Sequence, residues 1–530
     1  MRERLHRRLE DVTGVPAPSW LATLQGPTVE MSEAEVAGLW STAPASARNH
    51  LYLHVPFCKS ICSFCNYERL RPSSPDQLTA YAEQVLASID VLAPATQHLT
   101  FHSVYIGGGT PSVLPARLLD QLLTRIDDAF TWHPRAGRHV ELDPQVIGAS
   151  RVQVLVDHGF HHFSFGIQTL DQAINARHNR GPQDRRAVRR CLDLLRGVGT
   201  VHCDFLLGLR GTTPAGILAE VDDLLSGPNG PDSIDLYELL PTATYLAAEF
   251  GGDRDRFEAH MVPFRTEVDA PLRELVARHG WRVQGQGRHS YKLSGPNERL
   301  EAPRYGYTQL VHIEGHPINL LGLGPSARSR VFGAAALTAR RAPTGHRYVG
   351  TTRGLAGEVQ IYLAHVLRDA DEVSFRTLSA LFGPEVREVM ALPIAAWRAL
   401  ELATVDEHTI RMAPMRTPAR ARALLWLVAT EDIEHELARR QALPIEDAVA
   451  VARVPGPWQI AHRAGCRLTL ERDAAKVVLR LAPSLDDASM RWVLEEGAEH
   501  ASDPELRRAV RSLRRSLPPV SPRIGGVGPG

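Results

Sequence analysis

Short apolar runs alternate with helix-length amphipathic stretches between residue 51 and about residue 250. The runs with the length and composition of buried strands are 51–55, 103–108, 139–143, 162–167, 201–208 and 233–239. Segments between them, such as 115–130 and 185–198, repeat leucine at helical spacing. This alternation predicts an α/β fold with βαβ units and a parallel sheet. Six strands favour an open, partial (β/α)6 barrel over a closed eight-stranded one, with active groups at the carboxyl ends of the strands.

The pattern changes outside this region, and the chain divides into five predicted parts. A polar, helical lead-in precedes the barrel, a mixture of helix and loop follows it, and a small helical unit then ends in a strand, a tight turn and a strand. That last order is typical of a winged-helix module. The remainder is rich in Ala, Arg and Leu, has no clear fold, and ends in a Pro/Gly-rich tail expected to be disordered. The predicted boundaries are 1–50, 51–250, 251–350, 351–420 and 421–530.

Charge and hydropathy exclude several classes of protein. Among 530 residues, 60 basic side chains balance 60 acidic ones, which predicts no strong attraction to nucleic acid or to an anionic membrane. No apolar run reaches the roughly 18 residues that a membrane-spanning helix needs. The charged first residues lack the hydrophobic stretch of a secretory signal. We therefore expect a cytoplasmic protein whose thiols are reduced.

Half of the six cysteines stand in one short segment after the first predicted strand. Cys58, Cys62 and Cys65 are spaced to aim three thiolates at one point, and thiolates suit zinc or an iron–sulfur cluster. A structural zinc site normally has four protein ligands, whereas three cysteines leave one position open. We therefore expect a four-iron cluster, with a zinc knuckle as the alternative. The scattered cysteines are expected to behave as small buried hydrophobic residues: Cys191, Cys203 and Cys466.

The cysteine motif and its surroundings carry a family resemblance. The CxxxCxxC spacing, with "YLHVPFC" leading into it and "GGGTPS" at 107–112, resembles the radical S-adenosylmethionine (SAM) superfamily in its oxygen-independent coproporphyrinogen III oxidase branch. The similarity runs from Leu51 to Ala335 and more weakly to about residue 415. It implies that the cysteines hold a [4Fe–4S] cluster whose fourth iron binds SAM. It also implies electron delivery by a flavodoxin or ferredoxin, formation of a 5′-deoxyadenosyl radical, and an accessory domain that closes the active site.

The resemblance assigns a first SAM site near the cluster. Tyr52 matches a tyrosine that lies along SAM. Gly108, Gly109 and Thr110 match a turn whose backbone approaches the amino-acid end of SAM, where glycine permits close contact. Glu141 matches a carboxylate that binds the same SAM molecule. These positions are expected to form one binding surface at the ends of neighbouring strands.

The branch resembled here can hold two SAM molecules, and four positions match the second site. They are Phe64 inside the cysteine motif, Gln168, Arg180 and Asp204. A buried Arg and Asp require partners, which the SAM zwitterion and ribose would supply. The alternative is an internal ion pair between Arg180 and Asp204.

The substrate side of the site departs from the oxidase pattern. Tyr67 replaces a further cysteine, and Glu238 stands where the oxidase has a small residue, which makes Glu238 a candidate catalytic residue. Tyr307, in "GYTQ", and Arg328, in "LLGLGPSARS", lie in segments that resemble those closing the active site. Tyr307 is a second candidate catalytic residue, and Arg328 is a candidate cofactor contact.

These assignments predict a radical SAM enzyme that acts on a small molecule. The altered surroundings of the second SAM favour transfer of its methyl-derived carbon, giving C-methylation or cyclopropanation. Oxidative decarboxylation of a propionate, as in the oxidase, is the alternative reaction. A heme-binding chaperone is an alternative from another class, although the segment with His289 and Tyr291 lacks two residues of the chaperone motif. No nucleic-acid partner is expected, since the winged-helix segment has no basic stripe.

Overall fold

The computed structural model divides the chain into two compact units, one spanning Gly26–Gly354 and one that takes up the chain at Leu355. The residues described are 28–181, 183–227, 229–285, 290–296, 312–313, 316–341, 346–384, 386–390, 394, 403–413, 449, 452–464, 467–483 and 490–516. Within these ranges, no helix combines the length and apolar character needed to cross a membrane.

One mixed sheet of fourteen strands forms the framework of the first unit. Its strands are β1 (Thr28–Ser32), β2 (Arg48–Val55), β3 (Phe101–Gly108), β4 (Trp132–Leu142), β5 (His162–Gln168), β6 (Thr200–Leu207), β7 (Ser233–Glu238), β8 (Arg282–Gly285), β9 (Tyr291–Ser294), β10 (His312–Ile313), β11 (His316–Leu323), β12 (Arg328–Val331), β13 (Ala335–Arg341) and β14 (His346–Thr352). Its α-helices are α1 (Glu33–Ser41), α2 (Pro75–Leu92), α3 (Ala116–Ala129), α4 (Ala149–Asp157), α5 (Gln172–Arg177), α6 (Arg185–Leu195), α7 (Pro214–Ser226), α8 (Ala243–Phe250), α9 (Arg254–Thr266) and α10 (Asp269–Arg278).

Strands β2 to β7 lie side by side in sequence order, and every neighbouring pair among them is parallel. At least one helix connects each strand to the next. This arrangement confirms the six predicted strands and the βαβ pattern. It places the carboxyl ends of all six strands at one edge, where the predicted site residues stand.

Further strands extend this parallel core at both sides, and all their pairings except that of β11 with β2 are antiparallel. Strand β11 pairs in parallel with β2, and β12, β13, β14 and β1 continue the sheet from there, while β9 and β8 extend it beyond β7. Among the described residues, the end strands β1 and β8 each pair with one neighbour, so the sheet is open as expected for a partial barrel.

Two sequence expectations for the flanking regions require correction. Residues 28–32 of the predicted helical lead-in form strand β1, which pairs with β14. The region expected to mix helix and loop contains strands from Arg282 onward. Apart from β11, whose residues 318–323 are buried, the strands in this region are short or partly polar and lack the continuous apolar runs that identify fully buried parallel strands.

Alternating burial explains how this framework positions a site. On β6, Val201, Cys203, Phe205 and Leu207 are buried, whereas the residues between them are half-buried. Because successive strand side chains point to opposite faces, one face packs against the helices and the other carries His202 and Asp204. The helix-facing side chains join one large core that includes the leucines of α3 and α6, and each fully buried one contributes roughly 1.5–3 kcal/mol. Cys191 and Cys203 belong to this core, as predicted.

The second unit contains two small sheets. The first accompanies helices in the order of a winged-helix module and includes the predicted hairpin: α11 (Leu355–Asp369), β15 (Glu372–Ser374), α12 (Phe375–Phe382), α13 (Val386–Val389), β16 (Ala403–Val405) and β17 (Thr409–Met412). The second is antiparallel and is followed by a helix: β18 (Gln459–Ala464), β19 (Arg467–Arg472), β20 (Ala475–Pro483), β21 (Met490–Glu496) and α14 (Pro504–Ser516). Trp458 and Trp492 are buried in a core of its own, so part of the region left without a fold by the sequence is structured. Cys466 and the predicted tail from 517 lie outside the described residues, and the five-part division stays a prediction.

Candidate active site

The three clustered cysteines lie in the loop that follows β2, and each is half-buried. The Cys58 amide donates to the Leu70 carbonyl at 2.9 Å. Farther along, the Ser63 amide donates to the His178 carbonyl at 3.0 Å, and the Ser63 hydroxyl lies 3.1 Å from His178 Nδ1. Because these bonds tie the loop to itself and to the segment after α5, the cysteines are held at the end of the first parallel strand.

Burial shapes the chemistry of these thiols. Burial, with smaller contributions from the nearby Cys65 and Cys62 thiols, raises the pKa of Cys58 to about 11, while the Thr110 hydroxyl opposes the change. Burial also raises the pKa of Cys65. Cys58 and Cys65 therefore favour their protonated form at neutral pH, and a bound metal centre must supply the positive charge that removes those protons.

The spacing of the sulfurs bears on the choice between a cluster and zinc. Among the described residues, one group of potential metal ligands has all its ligand atoms within 4.8 Å of one another: His202, Asp204 and Asp235. The sulfurs of the three clustered cysteines do not meet this limit, so they are spread more widely. Zinc–sulfur bonds of about 2.3 Å place tetrahedral ligands roughly 3.8 Å apart. The residues therefore fit a multi-iron cluster better than a single zinc ion.

The glycine turn after β3 packs directly against the cysteine loop. A side chain at Gly109 would lie 2.7 Å from the Phe57 carbonyl oxygen and 3.0 Å from Cys58 Sγ. The Thr110 hydroxyl approaches the same sulfur at 3.6 Å. Gly108 adopts a positive φ of 111°, a conformation that favours glycine. The turn is thus close enough to the thiols to contact whatever they bind.

Glu141 lies near the end of β4 and is held from β3. Its Oε1 atom accepts a hydrogen bond from the Tyr105 hydroxyl, and its Oε2 atom accepts one from the Gly108 amide at 3.1 Å. Burial raises the pKa of Glu141 to about 7, although both hydrogen bonds act in the opposite direction. Among the described residues this half-buried carboxylate has no cationic side chain as partner, so it suits a positively charged ligand group.

The remaining candidates are one residue expected along the first SAM, Tyr52, and three with other expected roles, Arg328, Tyr307 and His289. Tyr52 is buried, and its hydroxyl lies 2.8 Å from His54 Nδ1. Arg328 is exposed at the start of β12, and its charge contributes to a lowered pKa at His54, where burial is the main cause. Tyr307 and His289 lie outside the described residues.

The second set of predicted SAM contacts gathers beside the cysteine loop. Arg180 donates to the Gly166 carbonyl and approaches Cys62 Sγ at 3.8 Å. Gln168 has a positive φ of 66°, and a side chain at Gly166 would collide with its amide. Asp204 is the strand neighbour of Gly166 on β6. Phe64, inside the loop, packs edge-to-face against His178 with ring centroids 6.2 Å apart.

The structure contradicts the alternative of an internal ion pair between Arg180 and Asp204. Asp204 contacts His202 Nε2 at 3.1 Å, and no ion pair among the described residues involves Arg180. The buried Nε atom of Arg180 has no hydrogen-bond partner within the described part of the chain. Within the described residues, Arg180 and Asp204 therefore do not neutralise each other.

Glu238 lies on the other face of its strand. It accepts hydrogen bonds from Arg265 of α9, which also donates to Glu258 at 2.7 Å. Successive side chains of β7 point to opposite faces of the sheet. Asp235 and Tyr237 therefore share the face that carries Asp204, and Glu238 faces the helices. This placement removes the basis for expecting Glu238 beside the second SAM.

Several site residues were missed by the sequence analysis: Tyr105, His202, Asp235, Tyr237 and Lys292. A signal for two of them was present in "SIDLYE", where polar residues alternate with apolar ones, a pattern typical of a strand with one polar face. The contact between Tyr105 and Glu141 joins different strands, so it required knowledge of the register.

Comparisons with known proteins agree with these features. Residues 52–224 match the family model described as the radical SAM superfamily. An oxygen-independent coproporphyrinogen III oxidase of Paracoccus denitrificans is 33% identical over 202 residues, which cover 37% of this chain and 44% of that protein. The Cereibacter sphaeroides oxidase is 29% identical over 359 residues, which cover 64% of this chain and 74% of that protein.

The fold has a solved counterpart. The crystal structure of the Escherichia coli coproporphyrinogen III oxidase superposes with a TM-score of 0.58 at 18% identity, covering 75% of this chain and 92% of that one. At this identity the likeness concerns the fold alone. The chain therefore contains a radical SAM domain and is similar to oxygen-independent coproporphyrinogen III oxidases of that superfamily.

Proposed function

We propose that this protein is a radical SAM enzyme that uses a second SAM molecule as the carbon donor for C-methylation or cyclopropanation of a small molecule. The observation that supports the second SAM site is the arrangement of the side chains of Arg180 and Asp204, which make no ion pair with each other. Arg180 approaches Cys62 of the cysteine loop, and Asp204 contacts His202. A ligand with a carboxylate and a cationic or hydroxyl-bearing part would satisfy both side chains.

The chain's own residues have distinct parts in this function. Cys58, Cys62 and Cys65 would hold a [4Fe–4S] cluster, which when bound supplies the electron that cleaves SAM to methionine and a 5′-deoxyadenosyl radical. Glu141 binds the cationic amino group of the first SAM and is oriented by Tyr105 and Gly108. Arg180, Gln168 and Asp204 hold the second SAM next to the same loop. A flavodoxin or ferredoxin is the proposed electron donor.

Isotope transfer tests the proposal. Reconstituted protein is incubated anaerobically with substrate candidates, reductant and SAM carrying a trideuterated methyl group. Carbon transfer predicts deuterium in the product together with both 5′-deoxyadenosine and S-adenosylhomocysteine. The Arg180→Ala variant should still form 5′-deoxyadenosine but no labelled product.

Oxidative decarboxylation is a second candidate, favoured by the names of the oxidase relatives. An unlabelled product, formed with release of carbon dioxide and without S-adenosylhomocysteine, would support it. Coproporphyrinogen III is the substrate to try first in that case, because it is the substrate named for those relatives. Heme binding without SAM cleavage would instead support the chaperone alternative.

A further inference from the structure

Asp204 and Asp235 occupy directly opposed positions on the neighbouring strands β6 and β7. Like charges opposed in this way repel each other, more strongly inside a protein than in water. On the other side of Asp204, the register position on β5 is Gly166, which has no side chain to hold the carboxylate. The orientation of Asp204 therefore depends on another contact.

His202 provides that contact. Its Nε2 atom lies 3.1 Å from Asp204 Oδ1 and 3.6 Å from Asp235 Oδ2. Ionised carboxylates only accept hydrogen bonds, so Nε2 must carry the hydrogen and donate it to Asp204. The Nδ1 atom lies 2.7 Å from the hydroxyl of Ser233, which can donate or accept. The imidazole ring is thus held at both nitrogens.

Asp235 has a hydrogen-bond donor and a strand neighbour of its own. The Tyr237 hydroxyl donates to Asp235 Oδ2 at 2.7 Å, and the buried Lys292 occupies the opposed position on β9. Among the described residues, the polar side-chain contact of Asp204 is the one to His202. His202 therefore controls the direction of one carboxylate, whereas Asp235 is anchored independently.

We propose that His202 is a positioning residue for the second SAM. It binds Oδ1 of Asp204, directs the other carboxylate oxygen toward the ligand, and separates Asp204 from the charge of Asp235. The hydrogen bond between His202 Nδ1 and the Ser233 hydroxyl holds the imidazole ring in the orientation needed for these contacts. The inference rests on the proposed second SAM site. It gives His202 a role in that site although His202 does not itself touch the ligand.

Binding stoichiometry tests this inference without turnover. Cluster-reconstituted protein is dialysed to equilibrium with radiolabelled SAM, anaerobically and without reductant. The wild-type protein should bind two SAM molecules, and His202→Ala should bind one normally and the other roughly tenfold more weakly. His202→Gln should recover most of the affinity, because its amide can donate to Asp204. His161→Ala, which removes an exposed histidine next to β5, is the matched control and should bind two.

The outcomes separate the inference from the function on which it rests. Two SAM molecules bound with wild-type affinity by His202→Ala would overturn the inference and leave the proposed function intact. A single SAM in the wild-type protein would overturn both. Equal weakening in His202→Ala and His202→Gln, with normal iron content and unchanged circular dichroism, would also overturn the hydrogen-bonding role.

Discussion

Tyr105 donates a hydrogen bond to Glu141 across the neighbouring strands β3 and β4. The Gly108 amide donates to the second oxygen of the same carboxylate, so β3 holds Glu141 at both oxygen atoms. A half-buried carboxylate fixed in this way is ready to accept a cationic group without first reorganising. This relationship joins the glycine turn, the cysteine loop and the proposed first SAM site in one unit.

Replacing Glu141 should weaken binding of the first SAM while leaving the cluster in place. A hydrogen bond to a charged group contributes roughly 1.5–3 kcal/mol, so Glu141→Ala should reduce affinity by about tenfold to a hundredfold. Anaerobic SAM titration and iron analysis measure the two properties separately. Tyr105→Phe, which keeps the charge and removes one orienting bond, should have a smaller effect. Wild-type affinity in Glu141→Ala would show that this carboxylate does not bind SAM.

SAM binding should tighten as pH rises from about 6 to 8, because burial raises the pKa of Glu141 to about 7 and the ionised form is the one that binds a cation. The Glu141→Gln variant should lack this part of the pH dependence. Titrations of both proteins across that range provide the comparison, and parallel pH profiles would contradict the assignment.

The same pKa predicts an effect on stability in the absence of SAM. The folded carboxyl group holds its proton more tightly than the unfolded one, so its stabilising contribution is complete below about pH 4.5 and is lost as pH rises through about 7. The stability of Glu141→Gln relative to wild type should therefore increase between pH 5 and pH 8, by at most about 3 kcal/mol. Chemical denaturation at the two pH values measures this difference.

Adding a methyl group at Gly109 should disturb the cysteine loop. The new Cβ atom would lie 2.7 Å from the Phe57 carbonyl oxygen and 3.0 Å from Cys58 Sγ. Overpacking of this kind costs about 1–3 kcal/mol, and here the strain falls on a cluster ligand. Gly109→Ala should therefore hold less iron than Gly148→Ala, the control, where a Cβ atom meets nothing within 4 Å. Equal iron content in the two variants would contradict the close packing.

Removing the three clustered thiols should abolish iron binding. The Cys58→Ala, Cys62→Ala, Cys65→Ala triple variant should retain almost none of the roughly four irons expected per chain. Cys191→Ala is the matched control, because Cys191 is buried in the apolar core and should not affect iron. Stoichiometric zinc in the wild-type protein, or a full cluster in the triple variant, would contradict the assignment.

The parallel core was accessible to sequence analysis because its strands are continuous apolar runs separated by regular helices. The cysteine motif was accessible because its ligands are close in sequence. Strand β1 and strands β8 to β14 were missed, since short strands with mixed polarity resemble loops until their partners are known. Their pairing depends on contacts distant in the chain, such as that between Thr28 and Thr351.

Register explains the errors within the site. Glu238 was identified by its position in the sequence, but the two-residue period of β7 places its side chain toward Arg265. The same period places Asp235 beside Asp204, a relationship invisible without the alignment of β6 and β7. The sequence left Arg180 and Asp204 as either a ligand site or an ion pair; the contacts of Asp204 with His202 and of Arg180 with Cys62 argue against the ion pair, and the ligand site stays a prediction.

The most direct test of the central claim is formation of 5′-deoxyadenosine by the reconstituted protein with SAM and dithionite under anaerobic conditions. The wild-type protein and Glu238→Gln should both produce it, whereas the Cys58→Ala, Cys62→Ala, Cys65→Ala triple variant should not. Absence of 5′-deoxyadenosine from wild-type protein that carries a complete cluster, with and without substrate candidates, would contradict the account.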